Sequence, residues 1–226
     1  MKVTQVNTFQ KYEKDIQLDN QQARYYDFSD LESSEAANDK PTAHFYGGNG
    51  FVAGAYQPLF TELSQQFNVI SLAMRGYWPD LPSAKVMTRE QDADWLIEFL
   101  ERTQGGPVIG IGHSQGATAT AMAAAKRPDL FSALYLIDPV TFTRKQSLLF
   151  NRIPRLILQT QEPFKSTRVK PADWSSVEAY YQSLRQNRAY KRISDDHLKI
   201  FAQNSLVAKD EGQSGYSLLF KPKQEL

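Results

Sequence analysis

Gly112-His113-Ser114-Gln115-Gly116 sets a serine between two glycines in the pattern G-x-S-x-G. A serine hydroxyl becomes a nucleophile when a base takes its proton and when donors wait for the charge that develops on the attacked carbonyl oxygen. The pentapeptide serves that chemistry if a strand runs into it and a helix leaves it. The serine then sits on a sharp, strained turn with the positive end of the helix beneath the reacting oxygen. Its flanks fit: PVIGIG (107–112) is a short apolar run, and SQGATATAMAAAKR (114–127) reads as a helix of small residues stopped by Pro128. The glycines permit a close backbone approach that a side chain would block. The plainer alternative is a tight strand-to-helix turn with no chemistry. An elbow requires a positive or near-forbidden φ at Ser114, whereas regular helix or strand dihedrals there would exclude a nucleophile.

The chain offers three histidines as partners, His44, His113 and His197. His113 precedes the serine, so its side chain should point away from that of Ser114 and serve packing. His44 stands near the start of its strand, four residues and more than about 10 Å from the end where Ser114 is expected. His197, beside Asp195 and Asp196, could serve as a base if a lid brought it to Ser114, but a solvated residue at a helix start is the plainer reading. None is a good partner.

The elements that would position Ser114 follow from periodicity. DIQL and ARYYDF read as edge strands, and a polar loop follows at 29–42. AHFYGG (43–48), NVISLAM (68–74), PVIGIG and SALYLID (132–138) read as buried strands. Between them, Tyr56, Leu59, Phe60, Leu63 and Phe67 form one helical stripe. A second helix at 88–103 opens with a T-x-x-Q capping box, Thr88 to Gln91, and places Ala93, Leu96, Ile97 and Leu100 on one face. The alternation β-α-β-α-β-α-β predicts an α/β fold with a doubly wound, mostly parallel sheet. Ligands bind such sheets at the carboxyl ends of the strands, where 47–51, Ser114 and Asp138 all fall. Asp138 could equally cap the turn ahead of Pro139.

After Asp138 the alternation stops. Residues 144–216 read mostly as helices, one with a capping box from Ser175 to Glu178 and a stripe of Val177, Tyr180, Tyr181 and Leu184, another through SDDHLKIFAQNSL. The expected organisation is a core over 1–143, a helical lid over 144–216 and a return toward the core over 217–226. Trp174, Tyr180 and Tyr181 would line an apolar pocket or pack as lid core.

Composition narrows the function. Cysteine is absent, which excludes thiol chemistry and fits a cytoplasmic protein, as does a start without an apolar signal segment. No apolar run approaches the ~18 residues of a membrane span. Net charge is +1, with 11 basic against 17 acidic residues over 1–143 and 15 against 8 over 144–226. Two docked parts of opposite charge explain this more simply than a basic lid over an anionic substrate. Nucleic acid and membrane are not expected as partners. No metal-ligand cluster or phosphate-cradling loop appears, so no cofactor is expected.

HFYGGNGF, VISLAMRGYWPD, VIGIGHSQG and LYLIDPV, in this order, resemble the α/β-hydrolase fold family and within it the lid-bearing serine hydrolases. The resemblance implies cleavage of a small ester, amide or similar acyl substrate. It casts Ser114 as nucleophile, the backbone N–H groups of Gln115 and Asn49 as oxyanion donors, and Asp138 as a triad acid. Gly47 stands where the family often has histidine. By the same resemblance the triad histidine follows two further strand-helix units, so the chain is expected to be C-terminally incomplete, a truncated or split form. The bare edge of 132–138 would then be covered by a second copy, a complementing C-terminal segment or the chain's own YSLLF (216–220). The alternative is a non-catalytic binding protein of the same fold.

Overall fold

The structure, a computed structural model, describes residues 7–29, 40–80, 88–141, 171–209 and 213–220. Most of the polar loop expected at 29–42, the first part of the expected lid at 144–170 and residues 221–226 lie outside the described residues.

An antiparallel hairpin, β1 (Glu13–Leu18) and β2 (Gln21–Asp27), opens the fold. There follow β3 (Thr42–Tyr46), α1 (Gln57–Ser64), β4 (Asn68–Leu72), α2 (Arg89–Thr103), β5 (Val108–His113), α3 (Gln115–Lys126) and β6 (Phe131–Ile137). The sheet order is β1-β2-β4-β3-β5-β6, with β3, β4, β5 and β6 parallel. The doubly wound sheet expected from the alternation is therefore present. From β3 the chain winds outward to β4, then returns to the other side of β3 as β5. The switch point falls between β3 and β5, where ligands of such sheets bind.

The local chemistry explains these elements. Four of the five β3 residues and four of the five β4 residues are buried, as strands covered on both faces require. Thr88 and Gln91 close the capping box at the start of α2. On α2, Ala93, Leu96 and Leu100 are buried as expected, and Trp95 and Phe99 join them. The stripe from Tyr56 to Phe67 outruns its helix, since α1 covers only Gln57–Ser64 and Tyr56 is its N-cap. Phe9, Phe28, Phe45 and Phe60 meet ring against ring under the hairpin and α1.

Beyond β6 the region expected to be mostly helical also contains short strands. Among the described residues there, two helices are present, α4 (Val177–Gln186) and α5 (Asp195–Asn204). A small antiparallel sheet joins them, formed by β7 (Asp173–Trp174), β8 (Leu206–Ala208) and β9 (Tyr216–Leu218) in the order β7-β9-β8. Strands of two or three residues carry no readable alternation, and their pairing with distant partners creates them. The cap of α4 also lies one residue later than expected. Ser176, not Ser175, accepts the Ala179 N–H at 3.0 Å, because the helix phase follows the burial of Tyr181 and Leu184.

YSLLF does not fold back on β6. Its first three residues are β9, and Phe220 is buried over Gly76, where an added Cβ would stand 2.0 Å from the ring. Among the described residues β6 pairs only with β5, and it leaves Tyr135 61% and Ile137 46% exposed.

Asn204 ties the second part to the core. Its Oδ1 accepts from the Thr8 N–H at 3.0 Å and from the Thr8 hydroxyl at 2.8 Å. Its Nδ2 donates to Gly54 O and to Gln57 Oε1, both at 3.1 Å. Gly54 is pressed against it, since an added Cβ would lie 2.5 Å from Asn204 Cβ. Asn204→Leu strands several of these groups without partners. Loss of about 2–3 kcal/mol of stability is expected, read as a fall in Tm of roughly 4–12 °C in a thermal melt.

Candidate active site

Register brings the expected residues to one edge of the sheet. Tyr46 lies opposite Gly112, and His113 opposite Ile137, so the chain leaves β3, β5 and β6 side by side. Gly47–Gly50, Ser114 and Asp138 follow directly.

Ser114 joins β5 to α3 with φ 54° and ψ −120°, the strained conformation an elbow requires. Close packing holds it there. A Cβ on Gly112 would stand 2.4 Å from Ala117 Cα, and a Cβ on Gly116 would stand 2.2 Å from the Tyr46 carbonyl oxygen. Neither backbone neighbour can yield, so both glycines of the pentapeptide are required by contact. The Ser114 N–H donates to Ile137 O at 2.9 Å, which fastens the elbow to the end of β6.

Gly48 faces Ser114 from the loop after β3, and a Cβ there would meet Ser114 Cβ at 3.3 Å and His113 Nδ1 at 3.0 Å. The loop turns through Asn49 and Gly50, with the Phe51 N–H donating to Gly48 O at 3.2 Å and Gly50 at φ 79°. Gly48's own N–H donates to Tyr56 Oη at 3.0 Å. Gln115 opens α3, whose first N–H groups have no acceptor within the helix. Its side-chain Nε2 donates to Asp92 Oδ2 at 2.8 Å.

Asp92 is a fully buried carboxylate that periodicity passed over as one more polar residue in the first turn of α2. It pairs with Arg75, whose Nη1 also reaches Thr88 O at 3.4 Å. Burial pushes the Asp92 carboxyl above the usual range, with Arg75 and Gln115 opposing the shift. Arg75, Asp92 and Gln115 thus link the loop after β4 and the starts of α2 and α3. The adjacency of Asp92 and Gln115, 23 residues apart, has no signal in the sequence.

The histidines take separate places. His44 is buried, accepts the Leu72 N–H at Nε2 at 3.1 Å, and is pulled down to about 3 by burial. It is a core residue. His113 Nδ1 lies 2.8 Å from Tyr56 Oη, with Phe51 edge-on to the ring at 5.5 Å. Burial lowers its pKa, and Asp138 partly offsets this. His197 is an exposed residue in the first turn of α5, its backbone N–H donating to Ser194 Oγ at 3.3 Å. Among the described residues no histidine is hydrogen-bonded to the Ser114 hydroxyl. Asp138 is exposed, with φ 46°, and is hydrogen-bonded to no described residue.

Beside the loop at 50–52, a cavity of about 140 Å³ opens toward α4, α5 and β9, lined among others by Val52, Tyr77, Trp174, Tyr180 and Phe201. Trp174 and Tyr180 line it, while Tyr181 packs within the cluster formed by α4 and α5. Its described lining carries no charge. Among the described residues no group of acidic or histidine side chains could hold a metal ion, and no helix is long and apolar enough to cross a membrane.

The model of the alpha/beta hydrolase family matches residues 43–212, which hold the parallel strands from β3 to β6 (all but the first residue of β3), the elbow, α4 and α5. The chain belongs to the α/β-hydrolase family. Its relatives are hydrolase enzymes. (E)-2-((N-methylformamido)methylene)succinate hydrolase of Acinetobacter baylyi is 29% identical over 208 residues, covering 92% of this chain and 69% of that protein. 2-(Acetamidomethylene)succinate hydrolase of Mesorhizobium japonicum is 26% identical over 173 residues, 76% of this chain and 57% of that protein. Among solved structures, E-2-(acetamidomethylene)succinate hydrolase superposes with a TM-score of 0.70 at 20% identity over 94% of this chain and 70% of that one. A thioesterase domain of the curacin pathway gives 0.68 at 18%, over 94% and 73%. At such identities the superpositions show the α/β-hydrolase fold alone.

The elbow of this α/β-hydrolase stores strain that glycine would release. Ser114→Gly is therefore expected to raise stability by about 1 kcal/mol, while Ser114→Ala leaves it nearly unchanged. Urea unfolding of the three proteins tests this, and a lower midpoint for Ser114→Gly than for the wild type would show that the backbone at 114 is relaxed, because glycine then only adds entropy to the unfolded chain.

Proposed function

We propose that this chain hydrolyses a small acyl substrate with Ser114 as the nucleophile. One observation carries the reading: a non-glycine residue at φ 54° where the strand meets the helix, walled in by Gly48, Gly112 and Gly116. No packing need calls for a serine in that conformation, whereas a nucleophile must be presented so.

In the proposed reaction Ser114 Oγ forms a bond to the substrate carbonyl carbon and its proton passes to a base. The N–H groups of Gln115 and Asn49 hold the resulting oxyanion, which collapses as the amine or alcohol leaves with a proton. Water then adds to the acyl-serine and releases the acid and the serine. Asp138 is the proposed acid of the set, since it follows directly on β6 at the same edge of the sheet as Ser114. The two relatives named for amide-bearing succinates make an N-acylaminomethylene succinate the first substrate class to try.

A second reading, binding without turnover, is favoured by the placement of the three histidines, none of which meets Ser114. We further propose a cytoplasmic location and a partner strand on the edge of β6 that no described strand pairs, a second copy or a complementing segment. Size-exclusion mass at micromolar concentration checks the pairing, with a dimer expected for the chain alone.

Incubation with an N-acylaminomethylene succinate and with an activated ester should release product, and Ser114→Ala should abolish it. Product at the same rate from Ser114→Ala would remove the nucleophile assignment. Ligand binding by calorimetry with no product from either protein would establish the second reading.

A further inference from the structure

Tyr56 stands between the two walls of the site. It is the last residue of the 3-10 turn Ala53–Tyr56 that leads into α1, and Asn204 grips that turn through Gly54 and Gln57. Its ring is set by Phe45 at 4.7 Å, Phe51 at 6.0 Å and Phe60 at 6.2 Å. Its oxygen meets two groups: the Gly48 N–H at 3.0 Å and His113 Nδ1 at 2.8 Å.

The proton count gives this contact a direction. An amide N–H can only donate, so Tyr56 Oη accepts from Gly48. The phenol has one proton, and the only acceptor for it among the described residues is His113 Nδ1. With the phenol donating there, Nδ1 is unprotonated and the neutral ring carries its proton on Nε2, whereas the opposite tautomer would make the phenol oxygen accept twice and leave its own proton without a described partner. Burial keeps both groups neutral, raising the phenol and lowering the imidazole. The chain Gly48 N–H to Tyr56 O–H to His113 Nδ1 therefore ties the loop that faces Ser114 to the residue just before Ser114.

We propose that Tyr56 is a positioning residue which, through this directed hydrogen-bond chain, fixes the loop at 47–50 against the Ser114 elbow and so sets where an oxyanion would be held. The proposal rests on the reading of Ser114 as nucleophile. Gly47 is set by its carbonyl against Gly116, and the Phe51 N–H closes the turn onto Gly48 O. The Gly48 N–H is held by the Tyr56 hydroxyl, and this bond runs from the peptide facing Ser114 to the elbow itself.

Two measurements on the full chain test this. Nitrogen chemical shifts of the histidine rings, assigned among only three residues by substitution, report the tautomer of His113. The expected result is Nε2–H in the wild type at pH 7.5, with a clear shift of Nδ1 in Tyr56→Phe. A His113 carrying its proton on Nδ1 would overturn the proposal. Labelling by a fluorophosphonate, followed by mass spectrometry of the Ser114 peptide, then reports the function. Tyr56→Phe keeps the ring and its aromatic neighbours, so the fold and the probe's half-saturating concentration should hold. The maximal labelling rate should fall ~10-fold or more, since a small misplacement of positioned groups has effects of up to about 100-fold. An unchanged maximal rate would overturn the positioning role. If the wild type itself takes no label at Ser114, the nucleophile reading falls and the positioning role with it. An Nε2–H His113 in that same sample would show that the hydrogen-bond chain stands, so the two failures are distinct.

Discussion

The contact between Gly116 and the carbonyl oxygens of Tyr46 and Gly47 is the constraint on which the rest of the site depends. Backbone meets backbone there, with no flexible side chain to absorb an error. It presses the first turn of α3 onto the end of β3 and so sets the depth at which α3 sits over the sheet. Gly112 makes the matching approach from β5 to Ala117. Between the two glycines the chain has no room for an ordinary turn, and Ser114 takes the positive φ that remains. The strain is local and the packing that imposes it is extensive, which is the balance expected where a residue is presented for chemistry.

Around that contact, three sets of polar bonds link segments far apart in sequence. Ser114 N–H to Ile137 O joins the elbow to β6. Asp92, buried with Arg75, reaches the Gln115 side chain and joins α2 to α3. Tyr56 joins the loop after β3 to His113. Each uses a buried or half-buried polar group, where an unmade bond is expensive and a made one therefore selects a single arrangement. The second part of the chain reaches the same region through Asn204 and through Phe51, which stands edge-on to both His113 and Phe201. The aromatic cavity beside 50–52 lies on the α4 and α5 side of this junction.

β6 differs from the other parallel strands. β3, β4 and β5 are enclosed, while Leu134, Tyr135, Leu136 and Ile137 are exposed, and among the described residues only β5 pairs with β6. The chain spans 69% and 57% of the lengths of the two hydrolases it matches. The apolar character of 131–137 is that of a strand meant to be covered on both faces, and its exposure is the largest departure from ordinary burial in the described structure.

Much of this was legible in the residues themselves. Alternating apolar runs and helical stripes identify the four parallel strands and three helices. The Thr88–Gln91 capping box marks the start of α2, and G-x-S-x-G between a strand and a small-residue helix marks the elbow. These signals are local, carried by neighbours along the chain, and local signals survive without a fold. What the tertiary structure decided is of another kind. It made β7, β8 and β9 from segments too short to show a period, chose Ser176 over Ser175 as a cap, and sent Tyr216–Leu218 to a second sheet instead of to β6. It also gave His113 its contact with Tyr56 and brought Asp92 and Tyr56 to the site. Each of those outcomes depends on which distant groups share one buried contact, and that is a property of packing that no window of sequence contains.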